Sequence, residues 1–92
     1  MMKQERKLKC ILDYYGKENQ IIKTFEEMAE LQELLARTFT KAEPVSKANF
    51  ASEIADVQIM LEQMKLAFNC KKEVDLWVDI KIARQFERMG NE

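Results

Sequence analysis

The sequence predicts an all-α domain, a small four-helix bundle, on three observations. Only two glycines and one proline punctuate its 92 residues. Runs of β-branched residues alternating with period two are missing. Apolar residues recur instead at helical spacing. The length fits a single domain, residues 1–92, and a domain this short is marginal alone because it buries a modest fraction of its surface.

The first helix is expected from about Gln4 to Tyr15. Leu8, Ile11, Leu12 and Tyr15 fall at i, i+3, i+4 and i+7, one apolar face. Gly16 sits where a helix-ending residue in the left-handed conformation belongs. The second helix runs from about Glu18 to Phe39, with Ile21, Ile22, Phe25, Met28, Ala29, Leu35 and Phe39 as its main apolar face. A loop from about Thr40 to Val45 follows, since Pro44 discourages helix at Glu43. Ser46 is placed to cap a third helix, which continues to about Phe68. Its stripe is Phe50, Ile54, Val57, Leu61, Met64 and Phe68. Asn69 is expected to cap the fourth, which ends near Met89. Short connections favour antiparallel neighbours.

Composition narrows the chemistry. The net charge of −1 gives no footprint for nucleic acid. Apolar runs are too short to span a membrane, and the N-terminus has no apolar leader, so a cytoplasmic setting is expected. Cys10 and Cys70 read as reduced thiols. No histidine is present, which removes the usual zinc ligand, the usual general base and every Ser-His or Cys-His pair. Chemistry would fall to carboxylates and a hard metal ion.

Carboxylates stand where the helical pattern breaks. Glu53 occupies a position between Val57 and Met60 that an apolar residue should hold, and Asp56 lies beside it, one turn on. On the second helix Glu27 shares a side stripe with Leu31 and Leu34, and Glu30 is three residues on. Acids three apart are side-chain neighbours and repel, more so when partly buried. Two such pairs on facing helices would gather four acids around one point. Oxygen-only ligands suit Mg²⁺, Mn²⁺ or Ca²⁺. Glu33 and Glu62 differ, because Arg37 and Lys65 are placed to pair with them as surface ions.

These residues resemble a family. Glu26-Glu27-Met28-Ala29-Glu30, followed by Glu53-Ile54-Ala55-Asp56, is similar to the E-E-x-x-E … E-x-x-D signature of the all-α nucleoside triphosphate pyrophosphatases, and the flanks resemble small MazG-like proteins of bacteria and phages. The resemblance implies cleavage of a (d)NTP between its α- and β-phosphates, giving the monophosphate and pyrophosphate. It implies that Glu27, Glu30, Glu53 and Asp56 hold Mg²⁺ (Mn²⁺ as a substitute), and that Glu26 is a further ligand or orients the attacking water; Glu26 and Glu27 are the expected catalytic pair. The Lys-x-x-Arg often found in the family matches Lys81-Ile82-Ala83-Arg84, which implies phosphate contacts from Lys81 and Arg84. Trp77 shares their stripe and is a candidate for stacking on a base or for the core.

Further apolar stripes, Ala55, Ile59 and Leu66 on the third helix and Leu76, Ile80 and Ala83 on the fourth, point to burial on two sides. The resemblance likewise implies a homodimer or homotetramer. The competing expectation is a catalytically inactive helical interaction or regulatory module with the same fold.

Overall fold

The computed structural model describes residues 3–40 and 44–90. Four α-helices follow one another: α1 Gln4–Tyr15, α2 Lys17–Thr40, α3 Lys47–Ala67 and α4 Lys71–Gly90. No strand occurs among the described residues, so the all-α class stands. No helix is long and apolar enough to cross a membrane.

The helix boundaries follow from local chemistry. Gly16 is the sole joint between α1 and α2. Its φ of 91° and ψ of 151° lie in a region essentially reserved for glycine. The conformation is therefore positive in φ, as expected, but extended rather than left-handed helical. Gly16 N–H donates to Leu12 C=O at 2.8 Å, and Gly16 C=O accepts from Gln20 N–H at 3.1 Å, so one residue closes the first helix and opens the second. At the start of α3, Asn49 N–H donates to Ser46 Oγ at 3.1 Å, the expected cap. Of the loop between α2 and α3, residues 41–43, including Glu43, lie outside the described residues.

Asn69 does a different job from the one expected. It adopts φ 51°, which asparagine tolerates better than most residues. Its N–H donates to Leu66 C=O and Cys70 N–H to Lys65 C=O. This is the paired-bond pattern that terminates a helix, so Asn69 ends α3 and does not cap α4. Its short amide side chain suits both roles, and only the backbone angle separates them.

α2 packs chiefly on α3, α1 lies against both, and α4 touches only α3 apart from a long ion pair, Lys71 to Glu5, at 4.0 Å. Gln20 meets Gln63, and Glu27 and Glu30 meet Glu53. Advancing along α2 means retreating along α3, so the two are antiparallel. The faces they turn to each other are not their most apolar ones. α2 buries Gln20, Thr24, Glu27 and Leu34, and α3 buries Met60 and Gln63. The main apolar stripe read from α2 points outward: Phe25 is 68% exposed and Phe39 86%. That expectation is corrected. Among the described residues, the buried apolar ones are Leu12, Leu34 and Met60, and α4 buries nothing.

Candidate metal centre

The expected acids converge between α2 and α3. One carboxylate oxygen each from Glu27, Glu30 and Glu53 lies within 4.8 Å of the other two. Glu27 is 7% exposed, Glu53 is half-buried and Glu30 is exposed. Helical spacing explains the placement: Glu27 falls on the inward stripe with Gln20, Thr24, Leu31 and Leu34. Glu53 falls in line with Met60 on α3, as its periodicity required. Asp56 is half-buried on the same side of α3 but stands outside the three-acid group.

Two carboxylate oxygens, Glu27 Oε2 and Glu53 Oε2, are buried without any hydrogen-bond partner. Buried polar atoms are normally satisfied, and an unpaired buried carboxylate oxygen is costly. Glu27 Oε1 is served by Lys23 Nζ at 3.3 Å, and the same ammonium reaches Glu26 Oε2 at 3.7 Å. The base that pairs with Glu27 thus comes from the preceding turn. Lysine four residues before glutamate is the less favourable order on a helix. Carboxylate hydrogen bonding and charge, from Glu27 first, raise the pKa of Lys23.

The donor set fits a hard divalent cation. Oxygens on opposite sides of a Mg²⁺ at its usual bond length lie about 4 Å apart, and about 5 Å for Ca²⁺. The three acids are already near that separation, with two orphaned oxygens among them. A cation there would neutralise what the protein leaves unneutralised.

Repulsion registers at Glu30. Its carboxyl pKa is raised, first by the charge on Glu27, then by lost solvation and the charge on Glu53. A carboxyl of raised folded pKa binds its proton more readily folded than unfolded. Its contribution favours folding at low pH and is lost as pH rises from the ordinary glutamate value through the raised one. In chelator, the melting temperature of Glu30→Gln relative to the parent should therefore climb as pH rises from about 4 to about 7. Paired melts across that range test this; a flat difference would show that Glu30 does not feel its neighbours.

The fourth-helix residues form a separate group. Lys81 Nζ and Arg84 Cζ lie 5.9 and 5.8 Å from the centroid of the Trp77 ring, at the outer reach of cation–π attraction. Trp77 is half exposed and so is not core within the chain. Among the described residues, no ion pair links Lys81 or Arg84 to the acids. Glu33–Arg37 and Glu62–Lys65 are the local pairs expected, at 3.1 and 2.6 Å. Both cysteines are free, Cys10 exposed and Cys70 half-buried.

A buried amide pair was not anticipated. Gln20 Nε2 donates to Gln63 Oε1 at 2.7 Å, and Gln63, at 1% exposed, is the most completely enclosed large side chain. The signal was present: Gln63 continues the line of Asp56 and Met60, the edge that also carries the acids. Gln20 and Gln63 line a groove with Tyr15, Asn19, Lys23 and Glu26, beside the acidic group.

Comparison of the chain with protein-family models, curated proteins and solved structures returns no match.

Proposed function

We propose that this protein is a Mg²⁺-dependent nucleoside triphosphate pyrophosphohydrolase that converts a (d)NTP to the monophosphate and pyrophosphate. The observation that carries this reading is that Glu27 and Glu53, each with a buried, unpartnered carboxylate oxygen, come together across antiparallel helices with Glu30 alongside. The resemblance of the two acidic half-motifs to the all-α pyrophosphatases supplies the reaction class. Glu27, Glu30 and Glu53 would hold the ion, with Asp56 completing the set from the same side of α3.

Mg²⁺, when bound, supplies neutralisation of phosphate oxygens and a more acidic water at neutral pH. The chain supplies the rest. Glu26 is largely exposed beside the group, free to accept a hydrogen bond from the attacking water and orient it. Lys23 offers a positive charge at the same edge. The groove along Gln20, Asn19 and Tyr15 gives amide and aromatic surface for the nucleoside. The resemblance, and not their place on α4 apart from the acids, assigns Lys81 and Arg84 to the phosphate tail, a role guanidinium suits by bidentate contacts and ammonium as a point charge. Trp77, whose ring both approach, offers a stacking face.

The test combines two readouts on the full chain. Mg²⁺ or Mn²⁺ should raise the melting temperature, and pyrophosphate should be released from at least one member of a panel of standard and modified (d)NTPs and phosphoribosyl nucleotides. A metal-insensitive melt with no release from any of them would leave the inactive helical interaction module as the better reading.

A further inference from the structure

We infer that Lys23 makes metal binding and polyphosphate binding at this site depend on each other. It is the chain's own counter-ion for Glu26 and Glu27, and its ammonium passes to the phosphates of a ligand when a divalent cation takes over Glu27. The inference rests on the proposed function and goes beyond it, since one side chain outside the acidic group decides which form of the metal the site accepts.

The two oxygens of Glu27 have different surroundings. Oε2 is buried without a hydrogen-bond partner. Oε1 faces the Lys23 ammonium at 3.3 Å, and the same ammonium lies 3.7 Å from Glu26 Oε2. Neither contact is short. The pairs Lys9–Asp13 and Lys65–Glu62 each close to 2.6 Å, and an ammonium–carboxylate hydrogen bond ordinarily spans about 2.7–2.9 Å. Lys23 is shared between two carboxylates and committed to neither. Helical spacing produces the sharing, because positions i+3 and i+4 both neighbour residue i.

One ammonium does not balance this group. Among the described residues, no other lysine or arginine pairs with Glu26, Glu27, Glu30, Glu53 or Asp56. The surplus of negative charge attracts a divalent cation, and a cation at Glu27 repels the ammonium beside it. Lys23 is able to leave, because half of its side chain is exposed and its ammonium is bound only to the two glutamates. It also lines the groove that runs along Gln20, Asn19 and Tyr15, so its charge stands at the edge where a ligand would lie.

The preference follows from charge. Binding of a bare divalent cation sends the ammonium into water and keeps a like charge nearby. Binding of the cation together with a polyphosphate gives the ammonium a new partner, which suits lysine as a mobile point charge. Lys23 therefore opposes the first event and assists the second. By linkage, the anion strengthens metal binding by the same factor as the metal strengthens anion binding. A lysine that only buttressed α2 would affect both events alike. One that only touched phosphate would leave the affinity for bare metal unchanged.

Calorimetry on the full chain tests this, with titration by Mn²⁺ alone and by its preformed complex with inorganic tripolyphosphate. Lys23→Met keeps the stem and removes the charge. It should bind Mn²⁺ alone more tightly than the parent, by roughly fivefold, and the complex more weakly, by about tenfold. Lys23→Arg keeps the charge and should stay near the parent in both titrations. Melts in chelator check that the variants are folded, and Lys23→Gln serves the same comparison if Lys23→Met is not. Opposite shifts are the expected result. Unchanged or weaker binding of Mn²⁺ alone by the neutral variant, or unchanged binding of the complex, overturns the inference and leaves the proposed function standing. A parent that binds neither Mn²⁺ nor the complex overturns both.

Discussion

Replacing either Glu27 or Glu53 by glutamine is expected to abolish metal-dependent stabilisation and to cut pyrophosphate release on the order of a hundredfold to a thousandfold, the scale of losing one group that stabilises developing charge. Glutamine keeps the size of the side chain and removes its charge, so the packing between α2 and α3 is preserved. Loss of a direct ligand should weaken Mg²⁺ binding by at least the roughly 10–100-fold that loss of a supporting group around a metal costs. In chelator the substitutions should do little harm. For Glu27 the lost partner is Lys23, which is half exposed, and such pairs contribute about 1 kcal/mol or less. The group also ceases to repel Glu30. The diagnostic result is thus a split: a metal-free melt near that of the parent, with no response to Mg²⁺ and little activity. Parent-like turnover in both variants, measured at saturating Mg²⁺, would refute the assignment of these acids to the reaction.

Much of this site is legible in the sequence because it violates a pattern. Glu53 stands on a stripe that should be apolar, and Glu27 stands in line with Leu31 and Leu34. A rule broken twice at matched spacing on two helices identifies both the residues and their facing. The direction of burial was harder to read. The stripe of α2 through Phe25, Met28 and Phe39 carries the larger apolar area, so periodicity names it the inner face. In the single chain it is the outer one. Periodicity reports that a face is covered but not by what, and a neighbouring copy leaves the same imprint as a neighbouring helix. The caps show a parallel limit. Ser46 was readable because serine before a helix has one favoured use, whereas Asn69 can start a helix or end one. Gly16 was recognisable as a break, but its extended conformation with positive φ depended on α2 restarting at the very next residue. The Gln20–Gln63 pair eluded the reading for another reason. Glutamine is common on exposed helix faces, and only the pairing of two of them makes either suited to burial.

That pair leads to the second large effect. Gln63→Leu alone should cost about 1–3 kcal/mol, the penalty for stranding a buried amide, because Gln20 Nε2 then loses its acceptor. Where unfolding is two-state, a domain of this size loses about 4–8 °C per kcal/mol. The double variant Gln20→Leu/Gln63→Leu should recover most of the loss or exceed the parent, since replacing both partners by apolar groups removes the unsatisfied donor along with its acceptor. The coupling in a double-mutant cycle should thus be large and favourable to the double variant. Its effect on the site should go the other way. A hydrogen bond of 2.7 Å between one defined position on α2 and one on α3 fixes how far the helices slide past each other, and two leucines fit several offsets about equally well. Seven residues along α2 and ten back along α3, that register is what sets Glu27 opposite Glu53. The doubly substituted protein should therefore melt as high as the parent while binding Mg²⁺ more weakly. Equal Mg²⁺ affinity at equal stability would show that the amides serve packing alone.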